Sequence, residues 1–159
     1  NRWDFRAYGL VANPLRLNWL EFQKLPTVRQ VCDIHCVTHW SKLDTAWSGV
    51  PFRYIAGFVQ PTVEAHFVIA RCEQGFTTSL PLETLMDEDV LLATHYDDKP
   101  LTPEHGHPLR LLLPKRYFWK SAKWLRALEF VAQDDLGFWE RAGYNNSADP
   151  WREERYAVS

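Results

Sequence analysis

The stretch VCDIHCVTHW, residues 31–40, sets two cysteines and two histidines within ten positions. Read as a helix, it puts Cys32, His35, Cys36 and His39 on one face, at steps of three and four, as a zinc-binding helix would. Read as a strand continuing from TVRQ, it puts Val28, Gln30, Cys32, Ile34 and Cys36 on one face and turns His35 away. The β-rich run from Val28 favours the strand, and with it a mainly β fold. Four ligands along one helix also converge poorly on one ion, and structural zinc sites draw their ligands from separated segments. A Cys32–Cys36 disulfide is excluded by the same reading. An extended strand holds those Cα atoms about 13 Å apart, and a bridge needs under about 7 Å. For Cys32 and Cys72 the simplest role is that of a small buried hydrophobe. Cys36, at a strand end before an aromatic segment, is either another such residue or a functional thiolate.

Outward from this stretch, FRAYGLV alternates like a strand. NWLEFQKLP reads as a short helix with Asn18 as N-cap and Glu21 three positions on, ended by Pro26. Val37–Val50 has no clean period and is expected to be a loop, after which Pro51 opens the helix PFRYIAGFV. EAHFVIARC, VLLATHY and PLRLLLP read as strands, DDKP as a turn, and PLETLM as a short helix. KWLRALEFVA fits either period. The expected class is α+β, a mainly β mixed domain, with residues 1–159 forming one domain.

The 159 residues are 46% hydrophobic and carry a formal charge of −2. This is the composition of a folded chain, with no global field for nucleic acid or an anionic membrane. No apolar run reaches the roughly 20 residues of a spanning helix, and no leader pattern opens the chain. Three cysteines suit thiols with specific jobs better than a disulfide framework. Cytoplasmic rather than periplasmic placement is the expectation, with an upstream segment missing before Asn1.

A second cluster lies at EHGHPLRLLLP, residues 104–114, where His105 and Arg110 flank a turn. Lys115, Arg116, Lys120, Lys123 and Arg126 follow, among Tyr117, Phe118, Trp119 and Trp124. Such a run suits a phosphate with an attached ring. From spacing alone, a solvated basic face balancing MDEDV is the simpler reading.

Five segments in order, HCVTHWSKLDTAWSGV (35–50), GFTTSLPLE (75–83), EHGHPLRLLLP (104–114), KSAKW (120–124) and GFWERAGYNNSADPWREERY (137–156), resemble the molybdopterin-binding domain of the sulfite oxidase superfamily. Within it, the chain is most similar to small bacterial sulfite-oxidase-like oxidoreductases related to the molybdenum-dependent methionine sulfoxide reductase. The resemblance implies the molybdenum–molybdopterin cofactor, with Cys36 as thiolate ligand to the metal, a soft anionic sulfur suiting that ion. It implies that His105, Arg110, Ser121, Ala122 and Lys123 hold the pterin and its phosphate, with Thr77 on the cofactor side. Trp40 and Thr78 would line the substrate pocket, near His39 and Phe76. The reaction implied is two-electron oxygen-atom transfer between Mo(VI) and Mo(IV), on a small sulfoxide or N-oxide, or on methionine sulfoxide in proteins. A separate electron-transfer protein would be the partner, since no haem-ligand pattern is present.

Trp40 and Ser41 stand where sulfite oxidases carry arginines, and Phe76 stands at their tyrosine, which disfavours a sulfite dianion. His105 departs from the asparagine of the methionine sulfoxide reductase branch. Two alternatives are a non-catalytic molybdopterin-binding protein and a structural zinc protein using the Cys32–His39 cluster.

Overall fold

In a computed structural model, residues 3–35, 41–114 and 122–134 are described. The described residues build two five-stranded sheets. The first has the order β2-β1-β10-β5-β6, from β1 (Asp4–Gly9), β2 (Leu15–Asn18), β5 (Phe67–Cys72), β6 (Thr77–Pro81) and β10 (Leu125–Val131). Its β1–β10 pair is parallel, and the other pairs are antiparallel. The second runs β3-β4-β7-β8, from β3 (Val28–His35), β4 (Ser41–Pro51), β7 (Leu91–Tyr96) and β8 (Lys99–Pro100), with β9 (Arg110–Leu112) also paired to β7. Asp97 and Asp98, both at positive φ, make the tight β7–β8 turn, the backbone geometry that two-residue hairpins favour.

Helix α1 (Trp19–Gln23) begins as its sequence dictates. The Asn18 side chain accepts from the Glu21 amide at 2.8 Å, and Glu21 accepts from the Asn18 amide at 2.9 Å, a reciprocal capping box. This seats the fully buried Phe22 against Phe5, ring centroids 5.4 Å apart. Helix α2 (Phe52–Val59) buries Phe52, Ile55, Ala56 and Val59 on one side, and α3 (Leu82–Leu85) buries Leu85. Their buried residues join Phe5, Val68, Leu80 and Phe130 of the first sheet and Val50, Leu92 and Leu111 of the second in one core. Each large apolar side chain fully withdrawn from water there contributes about 1.5–3 kcal/mol.

Four expectations are corrected. The Val37–Val50 loop is, over residues 41–50, part of the eleven-residue strand β4. Burial alternates from Thr45 to Gly49, but the buried side carries a threonine and a glycine beside Trp47, which enters a second cluster with Leu91, Ala93, Leu101 and Leu112, and the register shift between Ser48 and Gly49 then turns Val50 into the main core. A buried face that includes polar and small residues shows no hydrophobic period in the sequence. Pro51 is the last residue of β4 and the N-cap of α2 rather than its first helical residue. The single face from Val28 to Cys36 is interrupted by a register shift between Cys32 and Ile34, and Val28 is exposed. Cys32 and Cys72, expected to be buried, are each only half-buried. KWLRALEFVA resolves into β10, and the tail 137–156 lies outside the described residues. No helix among the described residues is long and apolar enough to cross a membrane.

Candidate functional site

Arg110 opens β9 from the turn that precedes it, and it is completely buried. Its Nη1 donates to the His105 carbonyl at 3.1 Å, and its guanidinium carbon lies 5.3 Å from the centre of the Trp47 ring. A cation over an indole face is attracted to it. Trp47 is itself held from below: its Nε1 donates to Thr45 Oγ1 at 2.8 Å, and that hydroxyl donates to the Cys32 carbonyl at 2.6 Å. Tyr96 packs on Trp47 with ring centroids 4.6 Å apart, and His105 lies 5.5 Å beyond Tyr96. Burial pulls the Arg110 pKa down to about 9, because a low-dielectric surrounding disfavours the charged form.

The turn at Pro103–His105 closes at Gly106, with φ 101. A Cβ on Gly106 would sit 3.0 Å from Lys123 Cβ and 3.3 Å from Arg110 Cβ, so the missing side chain lets the two basic residues close on one turn. Lys123 Nζ donates to the Glu104 carbonyl at 2.9 Å. The Ala122 carbonyl accepts from the Leu111 amide at 2.8 Å, and the Leu125 amide donates to the Leu109 carbonyl at 2.8 Å, stitching the 122–125 segment to β9. Thr102 Oγ1 lies 2.8 Å from His105 Nδ1, which fixes the exposed imidazole. Of the sequence-predicted cofactor residues, His105, Arg110, Ala122 and Lys123 are thus brought into one wall.

Thr77 and Thr78 lie on β6 of the other sheet. Thr78 is buried and shares a face with Leu80, while Thr77 is on the opposite face, across from Arg71. Arg71 Nη2 is 2.6 Å from Glu129 Oε1, so that cation is neutralised locally. Phe76, just before β6, is about 40% exposed. Cys36, His39, Trp40 and Ser121 lie outside the described residues. Among the described residues no group of three or more His, Cys, Asp or Glu side chains is placed to hold a metal ion. Cys72 has its thiol pushed up to about 12, chiefly by burial, which keeps it from acting as a thiolate at neutral pH.

Thr45, Trp47 and Tyr96 support the site without having been singled out from the sequence. Trp47 falls within the AWSG segment, but only the β4–β7 pairing, with Trp47 opposite Tyr96, brings these residues under Arg110.

The donor set of a buried guanidinium, an ammonium and an imidazole around a side-chain-free turn fits an anionic group such as a phosphate. Comparison with known proteins agrees. Residues 1–139 match the family described as oxidoreductase molybdopterin binding domain. The chain is 46% identical over 155 residues to the uncharacterized oxidoreductase YuiH of Bacillus subtilis, covering 98% of this chain and 78% of that one. It is 32% identical to a putative protein-methionine-sulfoxide reductase subunit, YedZ1, of Azospira oryzae, covering 86% of this chain and 52% of the relative. It therefore spans most of one relative and about half of the other. In fold it resembles the sulfane dehydrogenase SoxCD from Paracoccus pantotrophus, with a TM-score of 0.75 at 22% identity, over 83% of this chain and 39% of that one. With this fold, this basic wall and this agreement over most of its length, the chain belongs to the family of molybdopterin-binding oxidoreductase domains.

Proposed function

We propose that this domain performs two-electron oxygen-atom transfer on a neutral S–O or N–O substrate, such as a small sulfoxide, an N-oxide or methionine sulfoxide in a protein, rather than on sulfite. The supporting observation is the division of charge. The cofactor-side wall carries Arg110 and Lys123, whereas Phe76 offers a ring, the buried Thr78 a neutral hydroxyl on one face of β6, and on the other face the Arg71 across from Thr77 is already paired with Glu129. A dianion in such a pocket would lack charge compensation, while a polar neutral group needs only hydrogen-bond donors. The name of the methionine-sulfoxide relative points the same way.

In this reading Arg110, Lys123 and His105 grip the phosphate of the cofactor, and Ser121 and Ala122 add hydroxyl and backbone contacts. When bound, the cofactor supplies a metal that changes oxidation state by two electrons. Cys36 would give its thiolate to that metal, Thr77 would stand on the cofactor side, and Trp40 and Thr78 would line the substrate pocket. In this reading a separate electron-transfer protein exchanges electrons with the site.

The test is a parallel assay of loaded enzyme from a molybdopterin-competent host. Dimethyl sulfoxide, methionine sulfoxide and trimethylamine N-oxide are offered with a reduced dye, and sulfite with an oxidised one. Turnover of a sulfoxide or N-oxide without sulfite oxidation is expected. Sulfite oxidation alone would overturn the reading.

A further inference from the structure

Trp124 joins two turns that belong to different parts of the proposed site. Its indole Nε1 donates to the Pro103 carbonyl at 3.1 Å, on the turn that carries His105. Its own carbonyl accepts from the Glu73 amide at 3.0 Å, on the turn Glu73–Gly75 that leads into Phe76 and Thr77. Lys123 Nζ lies 5.9 Å over the same indole. Trp124 also sits at φ 55, a left-handed conformation that favours glycine and that a bulky residue adopts only when its surroundings hold it there.

We propose that Trp124 is a positioning residue that fixes the cofactor-holding turn at Pro103–His105 against the substrate-side turn at Glu73–Gly75. The assignment of those turns rests on the function proposed above; the mechanical link does not. The indole has a single N–H donor, and its bond to Pro103 anchors the side chain. That anchor keeps the backbone left-handed, and the left-handed backbone aims the carbonyl at Glu73. Without the anchor, residue 124 relaxes toward ordinary φ and its carbonyl leaves the Glu73 amide. The Glu73 turn retains a second hold, with Arg126 Nη1 3.9 Å from Glu73 Oε1, so a variant at 124 is expected to fold.

Two substitutions separate the parts. Trp124→Phe keeps a ring and a side chain that resists positive φ but removes the donor. Trp124→Gly removes the indole yet tolerates the backbone conformation. Hydrogen–deuterium exchange on the full cofactor-free chain reads both turns. In Trp124→Phe, exchange should quicken about threefold or more in peptides covering 72–77 and 102–107 alike. In Trp124→Gly only the 102–107 peptide should quicken, with the Glu73 amide still protected. On chains expressed in a molybdopterin-competent host, Trp124→Phe should retain less molybdenum than wild type, while its cofactor-free Tm stays within about 3 °C. Quickening confined to 102–107 in Trp124→Phe, or none, overturns the link, as does unchanged molybdenum retention. Wild type that takes up no molybdenum refutes the proposed function instead, and the exchange data still decide the link.

Discussion

Arg110→Met should make the cofactor-free chain at least as stable while making it a poorer holder of cofactor. Arg110 is fully buried, and that burial pulls its pKa down from the ordinary arginine range to about 9. Taking the charged guanidinium out of water costs the folded chain several kcal/mol. Neutral pH lies below both values, so the cost is fully present there. It is relieved only as pH climbs past about 9, where the folded chain releases its proton before the unfolded one does. An anion beside the guanidinium reverses the balance. Methionine fills similar space without charge, and replacing buried ionic groups by packed apolar ones is often neutral or stabilising by about 1–4 kcal/mol. The cofactor-free Tm should therefore hold or rise by several degrees. Each lost charge-assisted hydrogen bond to a phosphate costs about 1.5–3 kcal/mol, roughly a 10- to 150-fold weaker hold. Differential scanning fluorimetry of the cofactor-free chain and molybdenum content of the loaded one after extended dialysis measure the two halves. A variant that loses stability when cofactor-free yet keeps wild-type metal would refute the reasoning, because Arg110 would then be structural.

Three further outcomes are expected. Gly49→Ala should destabilise by about 3 kcal/mol in urea unfolding, because its Cβ would collide with the Leu92 carbonyl oxygen and lie 2.6 Å from Ala93 Cα, between paired strands that cannot part. Cys72 should resist iodoacetamide at pH 8 in the folded chain and react on unfolding, read by mass spectrometry, since its thiol is pushed up to about 12. The Asp4 carboxyl is held below its usual range first by its hydrogen bond from Arg126 and then by Arg16. Its contribution is present above the unfolded value of 3.8 and is lost as pH falls through the lower folded one. The stability gap between wild type and Asp4→Asn should accordingly shrink as pH is lowered from 5 toward 2.

Local chemistry was legible in the sequence where one short segment contains its own cause. Asn18 and Glu21 announce α1 because donor and acceptor lie three residues apart. The strand at Val28–His35 was readable from its β-rich run, but the register shift after Cys32 was not, since it depends on the partner strand. Strand β4 was lost for a related reason: its buried face includes Thr45 and Gly49, and the register shift after Ser48, which depends on β7, breaks the alternation. His105, Arg110 and Lys123 were legible through a resemblance carried by their motifs. Their support was not, because Trp47 meets Arg110 only after β4, β7 and β9 have paired. The left-handed backbone of Trp124 has no sequence signal at all, since nothing about tryptophan favours positive φ.

The decisive experiment is metal analysis with X-ray absorption spectroscopy on chain purified from a molybdopterin-competent host, wild type beside Cys36→Ser. Stoichiometric molybdenum, with one fewer sulfur around the metal in the variant, is the expected result. Zinc in place of molybdenum, or a molybdenum coordination unchanged by the loss of Cys36, would contradict the assignment of this site.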